Sequence, residues 1–161
     1  MRTRLLLLIG VVLSIGLATT SSVAAADDTV TVNLRLTGAK EVPAADPDGM
    51  GKAKLHIDAA GGRICFDIKG LTNTGAPNRG HIHQGPIDGG GGIVITFFEL
   101  RSTDAPASDP RHDELEAGGI QGCVSADPAL LGDLVANPQD YYLNLHNARF
   151  PAGSLRCQLE E

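Results

Sequence analysis

The chain has no tryptophan, only two tyrosines and four phenylalanines, so any core it builds must be filled by Val, Ile and Leu. It lacks an apolar run of the roughly 20 residues that a bilayer-crossing helix requires. The longest run, LLLLIGVVLSIGL at residues 5–17, has 13. It also lacks a basic block: 13 Lys and Arg stand against 19 Asp and Glu, and the acids are spread along the chain. Nucleic-acid binding and attraction to an anionic membrane surface are thereby disfavoured. No Gly-x-Ser-x-Gly elbow is present, and the glycine run at 89–92 is not followed by Lys-Ser/Thr. Neither the nucleophile of a serine hydrolase nor a phosphate-cradling loop is therefore indicated. The glycine run leads into a strand pattern and reads as a wide, flexible turn.

What is present begins with a leader. Arg2 and Arg4 precede the 13-residue apolar run, and small residues up to Ala26 follow it. That is the order of a secretory signal peptide, cleaved after Ala25 or Ala26, and it predicts a secreted protein. No cysteine follows the apolar run, so a lipid anchor is not expected, nor is a membrane span in the mature form. Losing residues 1–26 removes two arginines and no acid, so the formal charge becomes 11 − 19 = −8. The remainder suits one domain, taken as residues 30–160.

Three cysteines in an oxidising compartment predict one disulfide and one leftover thiol. In residues 63–69 the apolar set is Ile64, Phe66 and Ile68, which turns Cys65 away from the core. In residues 120–125 it is Ile120 and Val124, which turns Cys123 away as well. Cys157 shares its parity with Leu155 and Leu159. Cys65–Cys123 is the predicted bridge, with Cys157 a small core residue.

Alternation of apolar and polar residues marks strands at 29–36, 52–58 and 63–69, the last two joined as a hairpin by AAGG at 59–62. Residues 93–100, IVITFFEL, form the most apolar strand and are expected at the centre of the sheet. A polar loop, expected to be mobile, covers 101–116 and contains His112. One helix is predicted, capped by Asp127, opened by Pro128, with Leu130, Leu131, Leu134 and Val135 on its apolar face. Residues 141–146 and 154–159 are the last two strands. Seven or so short strands predict an all-β antiparallel immunoglobulin-like or Greek-key sandwich or barrel with one short helix.

In the stretch GHIHQG at 80–85, strand geometry sends His81 and His83 to one face and Ile82 to the core. Leu143 and Leu145 claim the core face of their strand, which leaves Tyr142, Asn144 and His146 on the other. If the two strands pair, His81, His83 and His146 form a three-nitrogen site suited to copper or zinc. The alternative is that these imidazoles hydrogen-bond backbone carbonyls or carboxylates and hold no ion. His56 is expected to be solvated, and nothing places Asp88 and Glu99 together as an acid/base pair.

Three segments together resemble the CHRD domain: LTGAKEVP at 36–43, GHIHQG at 80–85, and YLNLH with FPAGSLR at 142–156. The motif residues are Glu41, Pro43, His81, His83, Gly85, Asn144, His146, Pro151, Gly153 and Arg156. The resemblance spans roughly residues 30–159 and implies an extracellular, β-rich, immunoglobulin-like fold with no defined activity. It departs from the family's closing Arg-Gly-Gln at Cys157, where a side chain must be fitted. The chain is similar only in outline to copper/zinc superoxide dismutase, which needs about six histidines around two metals. This chain has five in all. The expected function is a non-catalytic extracellular binding or structural module, not an enzyme. It is expected to be a monomer, to meet an extracellular protein or glycan, and to need no cofactor. The alternative is a metal-binding protein that uses the three histidines for copper or zinc and is stabilised by the ion above about pH 6.5, where imidazoles are neutral.

Overall fold

A computed structural model describes residues 29–100 and 117–160. The segment 1–26 expected to be a signal peptide, the stretch 101–116 expected to be a loop, and His112 within it lie outside the described residues.

Eight strands run β1 Val30–Thr37, β2 Met50–Asp58, β3 Arg63–Thr72, β4 Arg79–Gln84, β5 Gly92–Glu99, β6 Gly119–Ser125, β7 Tyr141–His146 and β8 Leu155–Gln158. They form one sheet in the order β5-β4-β7-β8-β1-β2-β3-β6, and every pairing is antiparallel. Its two four-stranded halves are joined through a single pair, Thr37↔Arg156. The halves fold over each other until the edge strands β5 and β6 approach, which makes the fold a nearly closed barrel with a sandwich-like interior. The all-β class read from the alternation holds.

The interior is aliphatic, as the scarcity of aromatics requires. Leu36, Leu55, Ile57, Ile64, Ile68, Ile82, Leu143, Leu145 and Leu155 are fully buried. Phe66 and Phe97 stack with ring centroids 4.5 Å apart, so the two halves meet through an aromatic contact.

The placement of β5 corrects the sequence reading. Its apolar run predicted a central strand, yet it is an edge strand paired only with β4. Two register shifts in that pairing interrupt its alternation, and Phe97 and Phe98 are both buried although consecutive. Phe98 covers the bare backbone of Gly80, where a Cβ would sit 2.5 Å from its ring. The apolarity of β5 comes from capping the barrel's open side, not from neighbours on both edges.

The helix α1, Pro128–Ala136, forms as read: the Asp127 carboxylate accepts from the Ala129 N–H at 2.8 Å, and Leu131 and Leu134 are buried. No helix among the described residues is long and apolar enough to cross a membrane. Cys65 and Cys123 face each other in the β3–β6 register and are bridged. Cys157 is not bridged and lies in the core, where burial pushes its thiol pKa up. The position that departs from the family pattern is therefore filled by an inward-facing small side chain. His56 is exposed and bonds the Thr31 hydroxyl across β1–β2 at 3.0 Å.

Candidate functional site

Strands β4 and β7 pair with Arg79↔His146, His81↔Asn144 and His83↔Tyr142. Ile82, Leu143 and Leu145 then point into the barrel, and the polar side chains of both strands share the opposite face. That face is not open to water. Loops from three parts of the chain fold over it, leaving His81, His83, Asn144 and His146 buried.

The loop after β4 is held by side chains beneath it. Arg156, 2 % exposed, donates to the Gly89 carbonyl at 2.7 Å and to the Pro86 carbonyl at 2.5 Å. Gln158 donates to the Gly85 carbonyl at 2.9 Å. The Gly91 N–H donates to the Tyr142 hydroxyl at 3.1 Å, and the Gly91 carbonyl lies 3.0 Å from His83 Nδ1. The glycine run is thus a pinned cover, not the flexible turn its composition suggested. Glycine is required at position 91, where a Cβ would lie 1.7 Å from the Gln84 carbonyl oxygen.

Arg156, Tyr142 and His83 form a layered stack. The guanidinium carbon sits 3.6 Å from the Tyr142 ring centroid, and the His83 ring lies parallel to Tyr142 at 4.8 Å. Tyr142, on β7, stands between its neighbours on β8 and β4 in the strand order. A cation against an aromatic face in a buried setting contributes about 2 kcal/mol.

The segment Glu41–Pro43 enters from the other side and contains a cis Val42–Pro43 bond. Glu41 accepts from Asn144 Nδ2 at 3.3 Å and is 7 % exposed. Its Oε1, like Oδ1 of Asn144, is buried without a hydrogen-bond partner. Burial pushes the Glu41 carboxyl up to about 7, against the pull of the Arg156 charge and the Asn144 bond. Gly153 closes over this carboxyl with φ 147°, and a Cβ there would lie 2.6 Å from Glu41 Oε2. Gly153→Ala is expected to lower stability by about 2 kcal/mol, because it adds a strained backbone to a clash with a buried carboxyl. A denaturant midpoint unchanged from wild type would contradict that placement.

The three histidines are brought together. Three of their ring nitrogens, one from each, lie within 4.8 Å of one another. Each ring is also held from behind. His83 Nδ1 faces the Gly91 carbonyl at 3.0 Å, His146 Nδ1 the Pro151 carbonyl at 3.2 Å, and His81 Nε2 the Glu99 carboxylate at 3.2 Å. Burial holds all three imidazoles below the ordinary histidine pKa, His146 down to about 4. For His146 the neighbouring His81 and Arg79 add to the effect, whereas at His81 the Glu99 carboxylate opposes it.

The cluster gathers most of the motif residues singled out in the sequence. Glu41, His81, His83, Asn144, Pro151, Gly153 and Arg156 all meet there, and Gly85 anchors the cover through its carbonyl. Pro43 instead lines an adjoining cleft of about 270 Å³ between segments 41–45 and 149–153. Glu99 was missed as a partner of His81. It belongs to an apolar strand whose pairing with β4 only the fold reveals, although Glu99 is the one charge in that run.

The family model for the CHRD domain matches residues 32–159. No curated protein and no solved structure matches the chain.

Proposed function

The chain belongs to the CHRD domain family, and from that premise we propose that it is a secreted, non-catalytic binding module. The observation that carries this reading is how the motif residues are used. Glu41 engages Asn144, Arg156 and Gln158 engage the loop at 85–89, and His146 engages Pro151, so residues far apart in sequence shape one end of the barrel. Ser154, which lies in sequence between the motif residues Gly153 and Arg156, is buried and donates to the Leu145 carbonyl at 2.9 Å.

Secretion is supported by the disulfide, which belongs to an oxidising compartment, and by the leader-like order of residues 1–26. A monomer is supported by the burial of Cys157, which keeps its thiol from a partner chain. The binding surface we propose is the cleft lined by Val42, Pro43, Ala44, Phe150 and Pro151, with Arg149 at hand. Its apolar lining suits side chains of an extracellular protein better than the hydroxyls of a glycan. Val42 stands 46 % exposed at this cleft.

The test is expression of the full-length chain in a secreting host, with N-terminal sequencing of the product and cross-linking to the other proteins of the medium. We expect a mature chain that begins after Ala25 or Ala26. We also expect a cross-linked adduct that Val42→Asp abolishes without moving the melting temperature. An intracellular chain with its leader intact, or an adduct indifferent to Val42→Asp, would overturn the reading.

A further inference from the structure

Each of the three buried histidines has one nitrogen committed to an acceptor. A carbonyl or carboxylate oxygen can only accept, so the committed nitrogen is the one that carries the hydrogen. His83 and His146 are therefore Nδ1–H rings, facing Gly91 O and Pro151 O, and His81 is an Nε2–H ring, facing Glu99. In the neutral rings the remaining nitrogens, His81 Nδ1, His83 Nε2 and His146 Nε2, bear lone pairs and no hydrogen.

Two of those lone pairs meet. His81 Nδ1 and His146 Nε2 are 3.2 Å apart, a hydrogen-bond distance with no hydrogen available to fill it. His83 Nε2 is buried and has no hydrogen-bond partner. Three acceptors with no donor among them are mutually repulsive, and a cation between them removes the conflict. The 3.2 Å separation matches the edge of a tetrahedron of nitrogens about 2.0–2.1 Å from a central ion, which is about 3.3 Å. One nitrogen of each ring lies within 4.8 Å of one on each of the others, so the edges to His83 exceed the tetrahedral edge by at most about 1.5 Å, and His83 closes them together with the loop carrying Gly91.

We propose that His81 Nδ1, His83 Nε2 and His146 Nε2 form a three-nitrogen site for a late first-row transition-metal ion, with Glu99 as the positioning residue behind His81. Imidazole nitrogens select zinc and copper over magnesium or calcium, which take oxygen ligands. The carboxylate behind His81 and the carbonyls behind His83 and His146 fix the rings and raise the basicity of the ligating nitrogens. Three protein ligands leave a fourth position open. The site and the apolar cleft share Pro151, whose carbonyl accepts from His146 Nδ1, but the cleft supplies no ligating nitrogen, so the site stands whether or not that cleft binds a protein.

The test is calorimetric titration of the metal-stripped full-length chain with Zn²⁺ and Cu²⁺ in separate runs. Beside it stand His83→Ala, Glu99→Gln and the double variant His56→Ala/His112→Ala, which removes both histidines outside the triad. We expect one ion per chain, tighter for Cu²⁺ than for Zn²⁺. His83→Ala should weaken binding about 100-fold or more, Glu99→Gln about 10- to 100-fold, and the double variant not at all. For Cu²⁺, nitrogen hyperfine structure in the electron paramagnetic resonance spectrum should report three imidazoles and fall to two in His83→Ala. If His83→Ala does not fold, Glu99→Gln and the wild-type hyperfine pattern decide, since the Glu99 side chain is itself 59 % exposed. Absence of binding by the folded wild-type chain, binding unchanged in Glu99→Gln, or binding lost in the double variant would overturn the site.

Discussion

Replacing Arg156 by alanine is expected to lower the stability of the fold by about 3–5 kcal/mol, the range for breaking a buried charged network by removing one partner. Two carbonyls, of Pro86 and Gly89, lose a charged donor, and the Tyr142 ring loses the guanidinium at 3.6 Å. A hydrogen bond to a charged group contributes about 1.5–3 kcal/mol. The effect extends to Glu41, whose carboxylate loses the one positive charge that holds its pKa down. Arg156→Lys should restore little, because a single ammonium cannot reach two carbonyls in fixed directions while also lying flat on an aromatic ring. Urea unfolding of the three proteins measures this. A lysine variant as stable as wild type would show that charge alone, not the planar fork, holds the cover.

The second large effect depends on pH. Glu41 titrates near 7 in the fold against 4.5 as a free side chain. A carboxyl whose pKa is raised by folding binds its proton more tightly in the native state. Its contribution is therefore fully present below about pH 4.5, is lost progressively as pH rises towards 7, and is absent above that. The loss is about 3 kcal/mol in total, by the linkage between proton binding and stability. Burial sets the direction, and a proton on Glu41 also adds a donor where the buried Glu41 Oε1 and Asn144 Oδ1 have none.

Glu41→Gln carries a permanent donor and no charge. It should be more stable than wild type at pH 8 by up to about 3 kcal/mol and similar to it at pH 4.5. The histidines have the opposite sign. With pKa values lowered in the fold, they favour the native state above 6.5 and weaken it as pH falls, through about 4 for His146. Their contribution is common to both proteins and cancels in the difference between the two stability curves. Parallel curves from pH 4.5 to 8 would show that Glu41 is an ordinary carboxylate.

Much of this arrangement was legible from parity. Alternation fixed the core face of β1, β2, β3, β6, β7 and β8, and so decided that Cys65 and Cys123 point outward and can meet while Cys157 points inward. The same reasoning put His81 and His83 on one face of β4 and His146 on the matching face of β7. Their convergence needed only that those strands pair, and they do.

Parity could not say what covers that face. A polar set on a strand normally means solvent, whereas here loops carrying Gly91 and Pro151 bury it, and their own hydrogen bonds hold them down. Glu99 and the edge position of β5 were hidden for a related reason. The two register shifts in the β4–β5 pairing break the period on which the sequence reading rests. The stack of Arg156, Tyr142 and His83 crosses three strands that are neighbours in space, of which β4 lies far in sequence from β7 and β8. Strand order is not written in any local pattern.

The central claim is that three imidazoles are held with bare nitrogens facing one another. Long-range ¹H–¹⁵N correlation spectroscopy of the histidine rings in the metal-free full-length chain at pH 7.5 reads this directly, since it separates Nδ1–H, Nε2–H and doubly protonated rings. The account predicts Nδ1–H for His83 and His146 and Nε2–H for His81, all neutral. An Nε2–H tautomer at His83 or His146, or a stably protonated ring among the three, would contradict it.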